Sequence, residues 1–253
     1  MPNTNGLVSI SFRSKSVEEI AREVQKAGLG AIEWGGDVHV PHGDVKAAEH
    51  AAAVSAKYNL KILHYGSYYK IGYSDPELFS AVLKSAKILG APIIRVWAGE
   101  GIHPDTVSES DYQRIVEDAK RICDMAGDIM IATECHNDTL TEHYECALRF
   151  FRDVNRKNLK TLWQPNQNKG FEYDLEAIDA LKPYIVGVHV FNWEGRKPEK
   201  YPLSMGAEKW AQYMKKLPEA ELGYMLEFMP DDRIESLADE AKALATFTKE
   251  LSE

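Results

Sequence analysis

Cysteine is scarce in this chain: Cys123, Cys135 and Cys146 are the three among 253 residues. No pair is spaced Cys-x-x-Cys, and three thiols cannot all pair. A disulfide framework is excluded, and the simple reading is a reducing cytosol, so a cytoplasmic protein is expected. Long apolar runs are also missing. Nothing approaches the roughly 18 consecutive apolar residues of a membrane span, and residues 1–6 are too short and polar for a signal peptide. Basic clusters are absent: Lys and Arg total 30 against 39 Asp and Glu, for a formal net charge of -9. That balance argues against a nucleic-acid partner, which calls for clustered Lys and Arg. No linker or low-complexity segment interrupts the chain, so one domain over residues 1–253 is expected.

What the sequence does contain is alternation. Short apolar runs rich in β-branched and aromatic residues occupy 7–11, 31–34, 61–65, 93–97, 129–134, 159–164, 185–191 and 223–228. Most lack strict polar alternation, as parallel strands buried on both faces do. An amphipathic helical segment follows each run. Ser16-Val17-Glu18-Glu19 reads as a capping box, and Gly28 stands where that helix would stop. Eight βα units in a chain of this length predict an α/β fold, a single (β/α)8 TIM barrel. An open doubly wound sheet is the alternative, but no GxGxxG follows the first strand.

Active sites of such barrels lie at the C-terminal ends of the strands. The polar residues there are Glu33-Trp34 on strand 2, His64-Tyr65 on strand 3 and Trp97 with Glu100 and His103 after strand 4. Strand 5 ends in Glu134, strand 6 in Gln164, strand 7 carries His189 and then Asn192, and strand 8 ends in Glu227. Glu134, Gln164, His189 and Glu227 thus bring two carboxylates, an imidazole and an amide oxygen to one mouth. That donor set suits a divalent metal such as Mn²⁺, Mg²⁺, Co²⁺ or Zn²⁺. Burying two unpaired carboxylates is costly, and a cation or a proton relieves the cost. Alone, each has a plainer reading: a Glu as a salt-bridge partner, or a His as a satisfied core residue.

These residues sit in stretches with a wider pattern: Val17-Glu18-Glu19-Ile20-Ala21, Gly28-Leu29-Gly30-Ala31-Ile32-Glu33-Trp34, His64-Tyr65-Gly66, Thr133-Glu134-Cys135-His136-Asn137, Val186-Gly187-Val188-His189-Val190 and Leu226-Glu227-Phe228. In this order and spacing they resemble the xylose isomerase-like sugar phosphate isomerase/epimerase family, relatives of the metal-dependent apurinic-site endonucleases. The resemblance covers essentially the whole chain and implies four metal ligands from strands 5 to 8. Glu134, His189 and Glu227 match three of them. On strand 6 the family usually has Asp, and this chain has Gln164, which removes one negative charge. The resemblance also implies that Glu134 and Glu227 serve as acid/base groups and that His64 matches a substrate-side histidine. Substrate-binding candidates are Glu33, Trp34, Trp97, His103, Asn192 and Arg196, the last as a partner for phosphate or carboxylate. Trp193, Arg13 and the Tyr65, Tyr68, Tyr69, Tyr73 cluster are weaker candidates, the tyrosines as a lid or an oligomer contact.

The expectation is therefore a metal-dependent sugar, keto-sugar or sugar phosphate isomerase or epimerase working through an enediolate. A lyase or dehydratase would share that intermediate. Gln164 motivates a rival, a metal-free and non-catalytic sugar-binding barrel. Expected partners are a small carbohydrate, neither nucleic acid nor membrane, and a further copy of the chain remains open.

Overall fold

The computed structural model describes residues 4–195, 199–218 and 221–249. Eight strands form a closed parallel barrel: Thr4–Val8, Ala31–Gly35, Lys61–Lys70, Ile93–Trp97, Met130–Glu134, Leu159–Trp163, Ile185–Val190 and Gly223–Leu226. The eighth strand closes the ring by pairing with both the first and the seventh. Around it lie α1 (Val17–Lys26), α2 (Val45–Lys57), α3 (Leu78–Leu89), α4 (Glu109–Ala126), α5 (Tyr144–Val154), α6 (Phe171–Leu181), α7 (Ala207–Lys216) and α8 (Leu237–Lys249). The (β/α)8 barrel expected from the alternation is the observed fold. No helix among the described residues is long and apolar enough to cross a membrane.

Local signals act where the sequence puts them. Ser16 Oγ accepts from the Glu19 amide, and the Glu19 carboxylate accepts from the Ser16 amide, so the capping box opens α1. Differences from expectation gather at strand ends. The first strand stops at Val8, and Ser9–Phe12 is a 3-10 turn. The third strand runs on to Lys70, because its pairing with the fourth slips between Gly66 and Tyr69. Tyr68 takes up that slip with a φ of 54°. Gly66 is required by the close approach: a Cβ there would lie 2.6 Å from Glu33 Oε1 and 2.7 Å from Arg95 Nη2.

Side chains alternate between the barrel interior and the helix-facing surface. Inside, Val8, Ile10, Ala31 and Met225 form one apolar plug, and Ile93, Ala132 and Leu162 another. Two residues further along their strands from Ala31, Ile93, Ala132 and Met225 stand Glu33, Arg95, Glu134 and Glu227. The period of two therefore sets a polar layer directly on an apolar floor. Outside, the large cluster packs the helices against the strands, with Trp34, Trp163 and Trp210 fully buried in it.

Candidate active site

The polar layer is a network of six charged or chargeable groups, Glu33, His64, Arg95, Glu134, His189 and Glu227, all shielded from solvent. Arg95, 1% exposed, lies at its centre. Its Nε donates to Glu33 Oε1 at 2.8 Å and its Nη1 to Glu134 Oε2 at 2.5 Å. Its Nη2 has no hydrogen-bond partner among the described residues, and the Tyr68 ring covers the guanidinium at 4.7 Å. Burial works against a charged Arg95, but Glu134 and Glu33 more than compensate and hold its pKa well above the ordinary value.

Glu33 Oε2 accepts from His64 Nδ1 at 3.0 Å and from His189 Nε2 at 3.1 Å. A carboxylate can only accept, so His189 carries a proton on Nε2 and turns Nδ1 to the opposite side. There Nδ1 lies 3.3 Å from Gln164 Oε1, 3.4 Å from Glu134 Oε1 and 3.6 Å from Glu227 Oε2. The four sequence-predicted ligands thus converge on one point.

The two carboxylates at that point are not equivalent. Glu134 has both oxygens engaged: Oε1 faces His189, and Oε2 takes Arg95 and the Trp97 indole N–H at 2.6 Å. Burial opposes its ionisation, yet Arg95 and His189 hold it well below the usual carboxylate range. Glu227 accepts no side-chain hydrogen bond among the described residues. Burial, reinforced by the Glu134 charge, pushes it up to about 7 against the pull of His189. For His189, burial lowers the pKa, but Glu227 and Glu33 outweigh it and raise the group to about 10.

The donor set fits a divalent cation. Glu33 and Arg95 cancel each other, so the two carboxylates Glu134 and Glu227 match one doubly charged ion. The Glu33–His189 bond is the carboxylate–imidazole support that orients a ligating histidine. Protons on His189 and Glu227 balance the same charges when no cation is bound, so the site has two self-consistent states.

The other candidates fall in several places. Trp97 stands at the mouth, stacked on His136 at 4.5 Å and edge-on to Tyr68 at 5.3 Å. Trp193 stacks on Phe191 at 3.9 Å and tilts against Phe228 at 5.5 Å. Phe228, directly after Glu227, has a φ of 49°, uncommon for a bulky residue. His64 is 1% exposed and hydrogen-bonds into the network through Glu33. It also lines a cavity of about 310 Å³ below the polar layer, with Leu63, Ile93 and Met130. Trp34 points away from the mouth: strand alternation sends Glu33 inward and Trp34 outward, where its indole donates to Ser55 on α2. Asn192 ties the loop after strand 7 to Pro202 and Lys209. His103 contacts Asp105 and His143 on the rim. Arg13 joins Asp37 and Tyr68. Arg196 lies outside the described residues.

Arg95 was absent from the sequence candidates. Its signal was the one that marks His189, a polar residue inside an apolar strand. Strand ends alone do not reveal it.

A family model for the xylose isomerase-like TIM barrel matches residues 21–251. No curated protein matches the chain. Among solved structures, the probable 3-DHS dehydratase AsbF involved in petrobactin synthesis from Bacillus anthracis superposes with a TM-score of 0.79 at 19% identity, covering 97% of this chain and 99% of that one. D-psicose 3-epimerase with D-tagatose from Clostridium cellulolyticum H10 gives 0.68 at 16% identity, with 99% of each chain covered. The IOLI protein with a binding zinc atom gives 0.76 at 15% identity, covering 98% of each. At these identities the likeness is one of fold.

Proposed function

The chain belongs to the xylose isomerase-like TIM barrel family, and from that premise we propose that its barrel mouth moves a proton on the carbon beside a sugar carbonyl. The reading is a metal-assisted isomerase of a sugar or keto-sugar, with Glu227 as the proton-transfer group. One observation carries it: Glu134 has both oxygens engaged, while Glu227, beside the same imidazole, accepts no side-chain hydrogen bond among the described residues.

Glu134, Gln164, His189 and Glu227 would hold the cation, which when bound polarises a carbonyl and acidifies the neighbouring C–H. Glu227 takes the proton, leaving an enediolate of the substrate, and returns it to the adjacent carbon. Glu134, fixed by Arg95 and Trp97, stays anionic and orients. Trp97 with His136 and Trp193 with Phe228 offer apolar walls for a sugar ring. Two-base epimerisation needs a second proton-transfer group on the opposite face, and Glu134 is poorly placed to be one. The asymmetry favours a one-base reaction: aldose–ketose interconversion, or elimination of a neighbouring hydroxyl from the same enediolate.

The test is a panel of pentoses, hexoses and their ketoses in D₂O with Mn²⁺, followed by NMR. Expected is interconversion with deuterium entering at one carbon, reduced about 10²- to 10⁴-fold by Glu227→Gln. Inversion at a carbinol carbon without aldose formation overturns the one-base reading, and absence of exchange on every sugar overturns the isomerase.

A second reading has support of its own. Gln164 removes a negative charge from the ligand set, and Arg95 already pairs with Glu33 and Glu134. Both favour a metal-free barrel that binds a sugar without turning it over. Sugar binding by chelator-treated protein, with no exchange in either metal state, is the outcome it requires.

A further inference from the structure

A second group of metal-ligating side chains stands apart from the barrel mouth and shares no residue with it. His103 and Asp105 belong to the loop after the fourth strand, and His143 is the residue that precedes α5. One donor atom from each lies within 4.8 Å of the others. His143 Nδ1 is 3.2 Å from Asp105 Oδ1, and His103 Nδ1 is 3.8 Å from Asp105 Oδ2. The two imidazoles meet edge-on with centroids 5.6 Å apart and planes at 88°, so their nitrogens do not simply stack.

We propose that His103, Asp105 and His143 form a second cation site, for Zn²⁺ or a neighbouring first-row divalent ion, that pins the loop after strand 4 to the start of α5. Two imidazoles and one carboxylate suit Zn²⁺, Co²⁺ or Ni²⁺ rather than Ca²⁺ or Mg²⁺, which take oxygen ligands. His143 is largely buried, at 9% exposure, whereas His103 and Asp105 are 44% and 62% exposed, leaving room for water as a fourth ligand. The loop is already shaped for this. The Ile102 amide donates to the Asp138 carbonyl at 3.0 Å, and the Cys146 thiol donates to the Pro104 carbonyl at 3.7 Å. The Asp105 amide also donates to His103 Nδ1 at 3.3 Å, so His103 ligates through Nε2 or gives up that long bond. The staple would join the segments that follow strands 4 and 5, which carry Arg95, Trp97 and Glu134.

The test is a titration of metal-stripped full-length protein with Co²⁺ and then Zn²⁺, counting ions per chain and reading the Co²⁺ visible spectrum. The His103→Asn/His143→Asn double variant is expected to bind one ion fewer than wild type. His103→Asn alone, altered only on the exposed loop, serves if the double variant does not fold, and should lose the same ion. Equal counts in wild type and variants overturn the proposal. A wild type binding one ion that the variants lose supports the rim site and counts against a metal in the barrel mouth.

Discussion

His189 Nε2 donates to Glu33 Oε2 across 3.1 Å, and that one bond turns Nδ1 towards Gln164, Glu134 and Glu227. With His189 raised to about 10 and Glu227 to about 7, a cation on these donors displaces a proton from each. Its affinity therefore rises with pH, about tenfold per unit between roughly pH 7 and 10 and more steeply below 7. Calorimetry with Mn²⁺ in buffers of different ionisation enthalpy counts the protons released. An affinity flat from about pH 6 to 9 would show that His189 and Glu227 are not the ligands.

Arg95 is the permanent cation that Glu33 and Glu134 share, so Arg95→Leu leaves these two buried carboxylates with His189 alone as a charge partner. Breaking a buried ion pair from one side costs about 3–5 kcal/mol. The expected result is a large drop in melting temperature for metal-free protein. Saturating Mn²⁺ should restore more stability to the variant than it adds to wild type, because the ion replaces the lost charge at Glu134. Equal Mn²⁺ stabilisation of both proteins would place the cation away from Glu134.

The barrel was legible because burial on both faces makes its strands read as apolar runs, and the Ser16–Glu19 capping box and Gly28 mark where the first helix begins and ends. The convergence of Glu134, Gln164, His189 and Glu227 was legible for the same reason: matching positions on consecutive parallel strands point to one place. Less was legible where pairing slips. Nothing in Lys61–Lys70 announces the bulge that brings Tyr68 over Arg95. Arg95 itself was readable in principle, since Ile93 and Trp97 two residues away share its inward face. Trp34 shows the converse, as the parity that sends Glu33 inward excludes its neighbour. The rim group depends on the path of two loops, and sequence spacing cannot supply that.

Gln164 is the neutral member of the ligand set, and its carbonyl oxygen lies 3.3 Å from His189 Nδ1. Gln164→Asp adds a negative charge on a shorter side chain at the same strand end. Cation affinity is set partly by ligand charge, so Mn²⁺ binding should tighten by about an order of magnitude or more. In metal-free protein the third carboxylate has no cation to match it, and stability should fall. Unchanged affinity, measured by competition with a chelator of known strength, would show that strand 6 contributes no ligand.

Asp174 offers a test of the fold away from the cation. It is 4% exposed, accepts from Tyr213 Oη at 2.6 Å and from the Asn166 amide at 2.8 Å, and burial pushes it up to about 6 in spite of those bonds. The unfolded chain titrates this group near 3.8. Between the two values the folded state holds a proton that the unfolded chain has released. Asp174 therefore contributes stability at low pH that is lost as pH rises through about 6. The excursion is on the order of 2–3 kcal/mol. Asp174→Asn keeps the shape and one acceptor oxygen, for the Asn166 amide, while its NH2 can donate to the Tyr213 hydroxyl; it cannot ionise. Urea unfolding should show the variant gaining on wild type between about pH 4 and 6, with a constant difference above about 7. A difference independent of pH would mean that Asp174 ionises in the folded protein as easily as in the unfolded chain.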